Sequence, residues 1–144
     1  MGSWNTGPFD NDDAADFADA LDDAAPERRA ALVRTALVRA LRGSDGPEHS
    51  VGLAAVAAAA LVAARCPGGE PVTTAHGPQQ PLPPLTALRP LAASAVVRTL
   101  GPGSELTEGW FRYAAHLAWR GEPQRLHAVL RAPEPPFPGQ EPLF

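Results

Sequence analysis

Between Val51 and Ala64 the chain runs for fourteen residues without a charged side chain, and most of them are alanine. A bilayer-spanning helix needs about 20 apolar residues of greater hydrophobicity, so this segment is too short and too alanine-rich to cross a membrane. A helix from about Ser50 to Arg65 would be apolar nearly all round, and such a helix belongs inside a bundle, with partners on every side. That requirement fixes the expected architecture. The chain should be all-α, a single-domain bundle of five to six helices around an apolar, Ala-rich central helix, with 144 residues enough for one core.

Periodicity places the remaining helices. The first is expected from about Asn11 to Ala25, with Ala14, Phe17, Ala18 and Leu21 facing the core. The second starts at Pro26, a favoured first helical position, and runs to Arg42 before Gly43; Ala30, Val33, Leu37, Ala40 and Leu41 form its buried face, opposite Arg28, Arg39 and Arg42. A fourth runs from Thr86 or Pro90 to Leu100, a fifth from Ser104 to Arg120, and a short sixth from Pro123 to Arg131. The domain is expected to span residues 1–132. Within it a proline-rich connection, 67–85, is extended because its prolines exclude both helix and central strand. Pro81-Leu-Pro-Pro84 suits either a polyproline II ligand or a strap laid over the protein by Leu82 and Leu85, and the strap is the simpler expectation. Residues 133–144 read as a Pro-rich tail.

Charge narrows the function classes. The net charge of -4 and the pI near 5.5 speak against a nucleic-acid or anionic-membrane binder. All twelve basic residues are Arg and none is Lys, which reads as coding bias in a GC-rich bacterial genome. The acidic residues are unevenly spread: Asp10, Asp12, Asp13, Asp16, Asp19, Asp22 and Asp23 fall in one short segment. At 100° per residue, Asp12, Asp16, Asp19 and Asp23 share a narrow arc of the first helix. The result is an acidic stripe with a field of one sign.

Physics gives this N-terminal segment a structural account. Asp10 can cap the first helix, Phe9 can staple onto Ala14, and Trp4 can plug the core after the Gly7-Pro8 turn. The same scaffold allows a functional account, in which the stripe meets a basic protein surface and Trp4 and Phe9 anchor it. The repelling aspartates could instead be offset by Arg28, Arg39 and Arg42 if the first two helices lie side by side. A metal site is disfavoured, because Asp12, Asp16 and Asp19 lack the glycine-bearing loop of a calcium site.

Catalytic signals are thin. His49, His76, His116 and His127 are scattered, and there is no phosphate loop or glycine-flanked nucleophile. An enzyme or small-molecule binder would use Glu105 and Glu108 as paired carboxylates with His116, which shares one side of the fifth helix with Glu105. The aromatic residues Trp110, Phe111, Tyr113 and Trp119 on that helix could support a homodimer. Cys66 is the single cysteine, beside Pro67-Gly68-Gly69, which excludes a disulfide framework and fits a reducing compartment. No secretory leader opens the chain, and a cytoplasmic location without cofactor is expected.

The string formed by Gly2, Trp4, Gly7, Phe9, Asn11, Asp12, Ala14 and Asp16 resembles the N-terminal hallmark of the bacterial family known as domain of unknown function 4259. Residues 59–70, the Pro81-Leu-Pro-Pro84 strap, Leu88-Arg-Pro-Leu91 and Gly103–Glu108 extend the likeness almost end to end. Asn5 replaces a glycine of that pattern, and Gly109 replaces a large apolar residue. The resemblance implies a helical fold and brings no activity, substrate or catalytic residue with it. The expectation is therefore a non-catalytic protein-interaction or regulatory module, immunity-like by analogy, that contacts a basic protein through Trp4, Phe9, Asp12, Asp16, Asp19 and Asp23.

Overall fold

The computed structural model describes residues 9, 12–42, 47–66, 69, 77–100 and 124–131. Helix α1 spans Asp12–Asp23, α2 Arg29–Leu41, α3 His49–Ala63 and α4 Arg89–Leu100, with a last helix, α5, over 124–131. Short 3-10 turns, Pro26–Arg28 and Thr86–Leu88, lead into α2 and α4. No strand occurs among the described residues, and the protein is an all-α bundle. The expected helix over Ser104–Arg120 and the 133–144 tail lie outside the described residues, as does most of the 67–76 part of the connection.

Helix α3 packs against α1, α2 and α4. Every residue from Ala55 to Ala63 is buried, as are Gly52 and Leu53. The absence of a polar face in the sequence of α3 thus has a structural counterpart: with neighbours on several sides, it has no need of a polar stripe. Alanine carries no rotamer entropy and little bulk, so it favours the helix and lets partners approach closely. The larger fillers come from the surrounding elements: Phe9, Leu21, Val33, Leu37, Leu85 and Val96.

The end of α3 is closed by backbone geometry. Cys66 N–H donates to the Ala63 carbonyl at 2.9 Å, and Gly69 N–H to the Cys66 carbonyl at 3.0 Å. A Cβ on Gly69 would overlap the Ala63 carbonyl oxygen, so only glycine fits this close approach. Burial also removes Cys66 from solvent, and its thiol donates to the Val62 carbonyl at 3.4 Å. In α4 the one buried hydroxyl, Thr99 Oγ1, is satisfied by the Ala95 carbonyl at 2.9 Å.

The helix starts differ from the sequence expectation in an instructive way. Pro26 opens a 3-10 turn, and the α-helix begins three residues later at Arg29. Thr86–Leu88 repeats the arrangement ahead of Arg89. Both arginines are buried, at 6% and 8% exposure. Each lies on the core face of its own helix, Arg29 with Val33, Ala36, Leu37 and Ala40, and Arg89 with Ala92, Val96 and Thr99.

Overfilling the central helix tests its role. Ala58, fully buried in α3, should not accept a larger side chain, and Ala58→Leu is expected to lower unfolding free energy by about 1–3 kcal/mol or more. Ala31→Leu, at an exposed position of α2, should change it by less than about 0.5 kcal/mol. Urea denaturation of both variants checks this, and equal effects would contradict a packed environment for α3.

Candidate functional site

Helix α1 presents two chemically opposite sides. Ala14, Ala18 and Leu21 are buried against the core, whereas Asp12, Asp16, Asp19 and Asp23 are all exposed. The arc expected from the 3.6-residue period is therefore a solvent-facing acidic strip. Asp12 and Asp13 lie in the first turn, where the helix dipole favours negative charge, but Asp22 and Asp23 lie in the last turn, where it does not. No basic residue stands in that last turn.

Three side chains organise this end of the helix. Asp22 accepts backbone N–H bonds from the proline-rich strap: Gln79 N at 2.9 and 3.1 Å to its two oxygens, and Gln80 N at 2.9 Å. Its carboxylate is thus used to hold the strap, unlike the four exposed aspartates. Arg29 meets carbonyls at the C-terminal end of α1, donating from Nε to Leu21 O, which also accepts the Ala24 N–H, and from Nη2 to Ala24 O, both at 3.0 Å. Its remaining branch, Nη1, donates to Pro81 O at 3.0 Å. One guanidinium therefore joins α1, α2 and the strap, and places a cation at the negative end of the α1 dipole. From the end of α3, Arg65 Nη2 donates to Leu82 O at 2.9 Å.

The strap is consequently fixed at residues 79–82 by polar contacts and at Leu85 by complete burial, with Leu82 half-buried beside it. The carbonyls of Pro81 and Leu82 face the protein's own arginines, which opposes presentation of Pro81-Leu-Pro-Pro84 as a polyproline II ligand. Arg89 performs for α5 what Arg29 does for α1, donating from Nε to Leu130 O at 2.7 Å and from Nη2 to Val129 O at 3.1 Å.

One sequence expectation needs correction. Phe9 is 1% exposed within the core cluster that contains Ala14, so its ring supports α1 from inside and does not face a partner as an anchor. Arg28, Arg39 and Arg42 are exposed, Arg28 in the 3-10 turn that follows α1 and Arg42 just past the end of α2, and α1 packs chiefly against α3. Trp4 and Asp10 lie outside the described residues, as do Glu105, Glu108, His116 and the aromatic residues expected on the helix that carries them. Sequence reasoning missed Arg29, Arg65, Arg89 and Asp22. For Arg29 and Arg89 a signal was present, since both occupy core-face positions of their helices.

Elsewhere, an open cleft of about 390 Å³ lies among Leu41, Ala93, Ser94, Val97, Arg98 and His127. Val97 is 51% exposed there. Among the described residues no group of three or more His, Cys, Asp or Glu side chains is arranged to hold a metal ion, and no helix is long and apolar enough to cross a membrane.

These features define a small all-α bundle whose described surface is marked by an acidic helix and not by a catalytic constellation. Residues 2–122 match the model of the DUF4259 family, a domain of unknown function, and the chain belongs to that family. Neither a curated protein nor a solved structure matches it.

The Arg29 joint yields a direct prediction. Arg29→Met removes all three donations, at a cost of about 1–3 kcal/mol. Arg29→Lys should recover only part of this, because an ammonium cannot reproduce the planar fork. Hydrogen exchange at the Gln79 and Gln80 amides, which the strap donates to Asp22, should accelerate in both variants. Wild-type stability and exchange in Arg29→Met would contradict the assigned role.

Proposed function

We propose that the protein is a non-catalytic interaction module, regulatory in character and cytoplasmic in a bacterial cell, whose acidic α1 face docks on a basic protein surface. The observation that carries this reading is the simultaneous exposure of Asp12, Asp16, Asp19 and Asp23 on a helix whose other side is buried. Like charges at i,i+3 and i,i+4 spacing destabilise a helix by a few tenths of a kcal/mol per pair, about 0.2–0.5. Stability alone would not favour four of them in one arc. A partner of opposite charge offsets that repulsion and draws an advantage from it, since a concentrated field speeds and orients encounter.

The joint at the end of α1 supports the same reading. Arg29, Asp22 and the strap hold the acidic helix from behind, so the aspartates project from a fixed backbone and bind without a large ordering cost. Phe9 contributes from the core side. The aspartates, not an aromatic anchor, then carry recognition at the described surface, with affinity that falls as salt rises.

Replacing Asp12, Asp16, Asp19 and Asp23 with asparagine should slow association with a captured basic partner by about tenfold or more at low ionic strength, within the range electrostatic steering provides. At high ionic strength the two proteins should associate at similar rates. Surface plasmon resonance across a salt series reads this directly. An unchanged association rate at low salt would remove the acidic face from the interface.

A further inference from the structure

Helix α4 has an apolar side that the core does not use. Ala92, Ala95, Val96 and Thr99 fill its buried side, yet Ala93, Ser94, Val97 and Arg98 form a second stripe at helical spacing. With Leu41 of α2 and His127 of α5, this stripe lines the open cleft of about 390 Å³. Val97 is the one exposed large hydrophobic among the described residues, at 51%. An apolar floor left open to water is a feature of binding sites, and small-molecule sites have volumes of about 300–1,000 Å³. The walls stand in a fixed relation, because Arg89 at the start of α4 donates to the Val129 and Leu130 carbonyls in the turn that follows His127.

The polar groups of the cleft are of one kind. Arg98 brings a guanidinium, His127 a ring N–H and Ser94 a hydroxyl, and no Asp or Glu occurs in α2, α4 or α5. The described acidic residues lie elsewhere, on α1 and at Glu27 and Glu48, so a chain of net charge -4 keeps a basic region here. From the apolar floor and the donor-rich, cationic edge we infer that the cleft binds a small aliphatic carboxylate, an acyl chain with one anionic head. The chain lies over Leu41, Ala93 and Val97, and the carboxylate accepts from Arg98, His127 and Ser94. Arg98 has five N–H donors, enough to serve a ligand alongside another acceptor. The described lining holds no aromatic ring on which a flat ligand would stack, which favours an aliphatic body. This site is separate from α1 and stands or falls independently of the docking role proposed for the aspartates.

Three probes of equal chain length and different head provide the test: octanoate, octan-1-ol and octylammonium, each titrated below its micelle concentration into the full-length, isotope-labelled protein and followed by amide NMR. Octanoate should shift the Ser94, Val97, Arg98 and His127 amides saturably. Octan-1-ol should bind there about tenfold more weakly, the scale of a charge-assisted hydrogen bond, and octylammonium more weakly still. Val97→Asp, at an exposed position, should abolish octanoate binding. The double variant Arg98→Gln, His127→Gln should erase the preference for octanoate over octan-1-ol while leaving octan-1-ol affinity unchanged, a result that general loosening of the fold would not give. If circular dichroism shows that the double variant does not fold, His127→Gln alone should reduce the preference. Absence of saturable shifts at these amides, equal affinity for octanoate and octan-1-ol, or wild-type binding by Val97→Asp would overturn the inference. Shifts of the same amides with protein concentration alone would assign the cleft to a second copy of the chain and would also overturn it.

Discussion

The geometry of the N-terminal half depends on one buried guanidinium. A helix ends with carbonyls that its own turns do not all satisfy, and α1 ends at the corner that leads into α2. Arg29 supplies donors in a rigid fork, two to the last turn of α1 and its following residue and one to the strap. Its position at the start of α2 makes the corner a joint and not a loose hinge. Arg89 solves the same problem at the end of α5 from the start of α4. In each case a short 3-10 turn precedes the helix that the arginine begins, so the guanidinium enters the interior from a helix start. Lysine has one donor site at the end of a flexible stem and could not bridge three acceptors lying in different directions.

The joint explains why α1 can be chemically divided. One side supplies small side chains to the core, and the other carries only charge. Because its end is held by Arg29 and Asp22 and its flank by α3, the helix does not need its outer side for packing. That surface is then available for recognition. Asp22 marks the limit of the strip: shifted from the exposed arc, its carboxylate turns to the strap amides and becomes part of the fold. A difference of one helical position separates the two uses of the same residue type.

Much of the fold was legible from the sequence because it follows from periodicity. The apolar run from Val51 could only be an interior helix, and the spacing of Ala14, Ala18 and Leu21 oriented α1 correctly. Prolines at 81, 83 and 84 excluded regular structure from the strap, and Leu85 was available to anchor it. The polar joints were not legible in the same way. Composition made the arginines look like a coding preference, although Arg29 shares its helix face with Val33 and Leu37, and Arg89 shares its own with Ala92 and Val96. The identity of an acceptor carbonyl, such as Pro81 O fifty-two residues along the chain, depends on tertiary placement that no local pattern encodes. For the acidic strip, periodicity gave exposure correctly, because the 3.6-residue repeat sets Asp12, Asp16, Asp19 and Asp23 opposite the buried Ala14, Ala18 and Leu21.

The central claim is that the exposed aspartates are kept for recognition and contribute nothing the fold requires. The most direct measurement is the unfolding free energy of a variant with Asp16, Asp19 and Asp23 changed to Asn, taken by urea titration of the monomer at low ionic strength. Asn and Asp have similar helix propensities, so the comparison isolates the repulsion. The account predicts stability equal to wild type or higher by up to about 1 kcal/mol, with the difference vanishing in high salt. A loss of about 1 kcal/mol or more would show that these carboxylates hold the structure together and would contradict the account.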